Sequence, residues 1–147
     1  MGELMTSTHN FGVAPIRASS AADTFKGALY LASATYNAST TAYSATGEVS
    51  GTGYTAGGVA VTNATVPAAT NSSITAGVAY WTPSSSLAYP TVTLSTSFDT
   101  VVIYNSTQAN KAVGVFTFGA QTITAGTFTL TMPSNSTSAA LVRLATT

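Results

Sequence analysis

The sequence predicts an all-β fold, a single antiparallel β-sandwich or jelly roll over residues 26–147, preceded by an extended N-terminal arm over residues 1–25. Three observations carry that expectation. Large apolar side chains alternate with Thr and Ser at a period of two, which puts successive side chains on opposite faces of a strand. Thr, whose branched Cβ suits a pleated surface, is the commonest polar residue. The apolar runs are short and are separated by Gly, Pro, Asn and Ser, the pattern of a sandwich or barrel rather than of a parallel α/β sheet.

Taken in order, residues 1–25 show no regular pattern. Ala14–Ala22 could hold a turn of helix, but no amphipathic stripe supports one. The apolar pair Val13 and Ile16 suits a strap laid on a neighbouring molecule. Period-two runs follow at Ala28–Ala32, Val59–Val61, Ile74–Tyr80, Thr91–Ser95, Gly126–Met132 and Ala140–Leu144. In Gly126–Met132, Phe128, Leu130 and Met132 share one face and Thr127, Thr129 and Thr131 the other. Val101–Tyr104 and Ala112–Phe118 are apolar on both faces and are therefore expected as central strands. Turn chemistry marks the breaks at Thr55–Gly58, Pro83–Ser86, Asn105–Asn110 and Gly119–Gln121. A hairpin is expected between Val101–Tyr104 and Ala112–Phe118, and the next connection, to Thr127–Met132, through 119–126. No internal repeat and no domain boundary after residue 25 is visible.

Composition limits function. The 147 residues hold four basic and four acidic side chains, one His and no Cys, with zero net charge. Convergent titratable groups, a phosphate track and a metal cluster all need more than this. Lack of Cys removes disulfides and thiolate chemistry and suits assembly in a reducing cytoplasm. A hydrophobic fraction of 45% and a mean hydropathy of +0.30 are those of a chain with a core. No run reaches the length of a membrane span, and MGELMTSTHNFG at residues 1–12 has no basic start followed by an apolar run, so no secretory signal is expected there. Met1-Gly2 with Thr6 matches the outline of a myristoylation site, for which a plain initiator Met before Gly is the simpler account.

Individual candidates are few. Gly51, Gly53 and Ala56 form G-x-G-x-x-A, but a strand-like run rather than a helix follows, so a glycine bend is expected instead of a dinucleotide site. Ser50 lacks the nucleophile-elbow pattern, and its only possible base is His9 on the arm. Glu48 and Asp99 could pair across strands as glycosidase carboxylates, or serve as rim charges beside Lys26, Lys111 or Arg143. Asn37, Asn63, Asn71, Asn105 and Asn135 lie in N-x-S/T frames that Asn-rich turns also produce. Tyr80, Trp81 and Tyr89 bracket a serine loop. They suit a protein interface or a sugar platform, with a core position the alternative for Trp81.

Residues 28–58, and above all the block EVSGTGYTAGG at 48–58, resemble a family of small tailed-bacteriophage virion proteins of the capsid decoration, or cement, type. The likeness continues more loosely through Val101–Asn105, Ala112–Gly119 and Gly126–Pro133. The chain departs from the pattern in its arm, which has no charged lead, and in a lengthened Tyr80–Phe98 region. The resemblance implies a structural protein and no enzyme, with no cofactor and no metal. It would bind the major capsid protein and sister copies, as a homotrimer on the capsid exterior, after assembly in the host cytoplasm. Val13, Ile16 and Trp81 are the expected partner-binding anchors. The alternative is a tail or fibre module that stacks host-surface carbohydrate on Tyr80, Trp81 and Tyr89.

Overall fold

The computed structural model describes residues 23–62, 68–69 and 77–145. The expected arm, with Val13, Ile16 and His9, lies outside them apart from its last three residues. Of those three, Phe25 already begins the first strand. Every regular element among the described residues is a strand, and every pairing between strands is antiparallel. The all-β class is therefore observed. The described residues fall into two compact units, Asp23–Val61 with Ser86–Leu130, and a second drawn from Thr62–Ser85 and from Thr131 onward.

The second unit holds a three-stranded sheet in the order β3-β4-β7, made by β3 (Ala68–Ala69), β4 (Val78–Trp81) and β7 (Val142–Ala145). Trp81 pairs with Val142, and the next residue, Thr82, accepts the Leu141 N–H on its Oγ1. Ala79 and Trp81, two residues apart, are both buried.

The first unit holds β1 (Phe25–Leu31), β2 (Val59–Val61), β5 (Leu87–Asn105) and β6 (Lys111–Leu130) in the order β2-β1-β5-β6. Its centre matches the sequence. Val101–Tyr104 is buried on both faces between β1 and β6, and the hairpin to Ala112–Phe118 forms as expected. One face of that centre is the cluster of Ala28, Tyr30, Val102 and Tyr104, with Tyr36, Tyr43, Ala112 and Val115 packed on it. At the hairpin tip the Lys111 N–H closes a turn on the Gln108 carbonyl, and Ala109 and Asn110 take the two positive-φ positions of a type I′ turn.

Two expectations need correction. Residues 119–126 are no hairpin connection, because β6 runs through them without a break, alongside a β5 that is just as long. β-Branched Thr122, Ile123 and Thr124 keep the segment extended, and register shifts absorb the change of direction. The ribbon is bent there rather than reversed. Phe118 and Phe128, ten residues apart, would stand about 33 Å from each other on a straight strand, yet their ring centroids are 5.4 Å apart. The bend also carries Tyr89 back over β1, where its hydroxyl donates to the Gly27 carbonyl at 2.8 Å. The two halves of the ribbon thus face each other across Leu87, Tyr89, Phe98 and Phe128. Second, Ala112–Phe118 belongs to an edge strand. Among the described residues only Thr41–Tyr43 bonds to its outer side, through the Ala112 N–H on the Thr41 carbonyl and, just before the run, the Tyr43 N–H on the Asn110 carbonyl.

Candidate functional site

The densest polar arrangement in the first unit is built by Glu48–Gly58, the block that carries the family resemblance. Its glycines have a common cause. Three β-turns follow one another at Ala45–Glu48, Gly51–Tyr54 and Thr55–Gly58, each closed by the fourth N–H on the first carbonyl. The third residue of each is a glycine with φ between +75° and +87°, the conformation a type II turn requires there. Gly53 has a second reason. Its backbone lies on the Thr91 carbonyl, so a Cβ would collide with main chain that cannot move aside. Between these turns Thr52 bridges to Thr93, which lays the G-x-G segment on β5. This is the glycine bend expected from the sequence.

The block is also sewn to β1. Its start, Gly47–Val49, pairs with Leu29–Leu31 through the Leu31 N–H on Gly47 and the Val49 N–H on Leu29. Its end leads into β2, which pairs with Phe25–Gly27. Glu48 stands at the middle of this clip. The Tyr43 hydroxyl donates to its Oε2 at 2.7 Å, while the Tyr54 hydroxyl and the Gly57 N–H donate to Oε1, each at 2.7 Å. Three donors on one carboxylate at this length are charge-assisted bonds. Tyr54 in turn accepts the Leu29 N–H at 3.0 Å, so one hydroxyl links β1 to the carboxylate.

Tyrosines surround this hub. Tyr43 stacks on Tyr104 with centroids 4.6 Å apart, and the Tyr104 hydroxyl donates to the Gly57 carbonyl. Tyr30 and Tyr36 donate to the carbonyls of Ser44 and Thr46 on the approach to Glu48. Burial, reinforced by Glu48, holds the phenols in their neutral form. Tyr43 is pushed up to about 12, first by burial and then by its bond to Glu48. Tyr54, Tyr30, Tyr89 and Tyr104 are also raised, above all by burial. Chemically this is a set of neutral donors, Tyr43 and Tyr54 bonded to the Glu48 carboxylate and the others to backbone carbonyls, and what it does is hold a loop on a sheet.

The remaining candidates separate. Ser50 is exposed on the clip, whereas His9 lies outside the described residues. Asp99 accepts from its neighbour Thr100 while Glu48 is bonded within the clip, so the two carboxylates serve different structures. Asp23 takes the side-chain amides of Asn105 and Gln108, and Asn105 Oδ1 accepts the N–H groups of Thr107 and Gln108. Asn105 is thus a turn-builder that ties the start of β1 to the hairpin tip. Asn37 plays a similar local role toward Ser39, while Asn63 and Asn71 lie outside the described residues. Trp81 is only 6% exposed and Tyr89 only 1%, so both rings are buried. Tyr80 is half-buried. Among the described residues no three His, Asp or Glu side chains are close enough to share a metal ion.

The tyrosine hub was missed by the sequence reading. Its signal was there: six of the seven tyrosines fall outside the Tyr80–Trp81 run, and Glu48 is the only carboxylate in the block they surround. Comparisons with protein-family models, with curated proteins and with solved structures give no match for this chain.

Proposed function

We propose that this chain is a tailed-bacteriophage virion component, a decoration or cement protein that binds the outside of the head and stabilises it by protein–protein contact. One observation supports the reading most. The block that carries the resemblance spends its carboxylate, its glycines and its one tyrosine, Tyr54, on fastening a loop to β1 and β5. A motif of that kind specifies a shape, as a structural protein requires, and provides no reacting group.

The finer architecture belongs to the same proposal. A ribbon folded so that its halves face each other is how a β-sandwich or jelly roll is made from one long hairpin. With four basic and four acidic side chains in the whole chain, its surface is wetted mainly by hydroxyls and is suited to cover by the major capsid protein and by sister copies in a homotrimer. The arm, through Val13 and Ile16, is the strap that reaches a neighbour. Trp81, the third expected anchor of the partner contact, has a ring that is buried within this chain. The carbohydrate alternative needs open aromatic faces, and Trp81 and Tyr89 do not present them.

The test is thermal. Undecorated heads and heads incubated with the purified chain are heated in parallel, and release of DNA is followed with an intercalating dye. Release at higher temperature in the presence of the chain is the expected result; an unchanged release temperature at saturating protein overturns the reading.

A further inference from the structure

Thr91 and Ala125 are the strained residues of the bent ribbon. Their φ values are +52° and +47°, the left-handed region that glycine enters without steric cost and in which a β-branched residue is an outlier. Both stand at one corner. Between the pairs Tyr89–Phe128 and Val92–Gly126, β5 sets Pro90 and Thr91 against the single Thr127 of β6. Between Val92–Gly126 and Leu94–Ile123, β6 sets Thr124 and Ala125 against the single Thr93 of β5. Each strand thus carries one bulge, and each bulge contains one of the left-handed residues. The two insertions cancel. Five residues run from Tyr89 to Leu94 and five from Ile123 to Phe128, so the pairing beyond the corner keeps the frame of an unbroken ribbon. The corner can therefore change its angle without moving either side to a new register.

Both strained residues are exposed, so core packing does not hold them. The glycine clip does. The Thr91 carbonyl lies against Gly53, the Thr93 N–H donates to the Thr52 carbonyl at 2.9 Å, and Thr93 Oγ1 accepts the Ala125 N–H at 3.0 Å. Beyond the corner, Leu87–Tyr89 and Phe128–Leu130 pair with each other and close over the core. There the Tyr89 hydroxyl meets the Gly27 carbonyl and the Phe128 ring stands edge-on to Phe98. We propose that the corner is a strained hinge and that Leu87–Tyr89 with Phe128–Leu130 is a flap. The flap opens from the core as one piece, with its own pairing kept, and uncovers Phe98 and Phe118. Strain at Thr91 and Ala125 narrows the gap between closed and open flap, while burial of Leu87, Tyr89 and Phe128 widens it. Opening of the flap therefore costs less than unfolding of the whole sheet. The hinge does not rest on the virion reading.

Native-state hydrogen exchange of the full chain provides the test. Ladder amides of Leu87–Tyr89 and Phe128–Leu130 are expected to exchange together, at least about 10-fold faster than those of Val101–Ile103 on the same β5. Glycine at a strained position removes the steric cost and returns part of it as backbone freedom. Thr91→Gly and Ala125→Gly are therefore each expected to slow exchange in the flap, by roughly 3-fold. Thr129→Gly, within the flap at a strand position without positive φ, is expected to speed it instead. Equal rates in Leu87–Tyr89 and Val101–Ile103 mean that the flap opens only with the whole fold, and overturn the proposal. So does a corner glycine variant whose flap exchanges as fast as the wild type or faster.

Discussion

Glu48 is the residue on which the clip depends. Replacing it with Ala strands the Tyr43 and Tyr54 hydroxyls and the Gly57 N–H together, and a lost bond to a charged group costs about 1.5–3 kcal/mol. Because Glu48 is half-buried, water recovers part of that. A loss of about 2 kcal/mol is expected for Glu48→Ala and less for Glu48→Gln, measured by urea unfolding. The tyrosines add a pH dependence whose sign is fixed. Their folded pKa values are raised above the 10.0 of the open chain, so the unfolded chain loses its phenol protons first as pH rises. Stability from this source is complete below about pH 10 and is lost progressively above it, through the value of about 12 for Tyr43. Urea midpoints between pH 8 and 12 are expected to be flat and then to fall, with tyrosinate absorbance delayed until unfolding. Gly53→Ala forces a side chain into a positive-φ turn and against the Thr91 carbonyl, and is expected to cost about 1–3 kcal/mol.

At the level of elements, the bent β5–β6 ribbon replaces a second hairpin. Phe98 is its hinge pin, edge-on to Phe118 at 6.0 Å and to Phe128 at 5.0 Å. Phe98→Ala is expected to cost about 3–5 kcal/mol and to separate the two halves of the ribbon, seen as lost near-UV circular dichroism with the far-UV signal kept. The elements also show what a period-two reading can and cannot see. Val101–Tyr104 is apolar on both faces because it is covered on both, and there pattern and burial agree. Ala112–Phe118 has the same pattern, but alternation reports only faces, and the open outer edge of β6 lies in the plane of the sheet. Likewise Gly119–Gln121 carries turn-forming residues, and the chain uses them for a bend between paired strands. A hairpin and a bend differ in which residues lie opposite them, a long-range fact that no local window contains. The three glycine turns of the clip were legible as punctuation. The Glu48 hub was not, because its donors come from Tyr43, Tyr54 and Gly57, whose convergence needs all three turns in place.

For the whole molecule, charge poverty is what joins fold to function. Five acidic or basic side chains per hundred residues leave few groups for chemistry, and Glu48 and Asp23 are spent on a loop clip and on a hairpin tip. What is left for the surface is hydroxyl and small apolar groups, which favour broad contact with protein. In the proposed decoration role such contact would add little per copy and much in an array. The direct measurement of this account is the number of copies that a phage head takes up. Undecorated heads are mixed with the purified chain over a concentration series and pelleted, and bound chain is quantified per head. Saturation at a fixed stoichiometry of hundreds of copies is the expected result. Binding of a handful of copies, or none, contradicts the account.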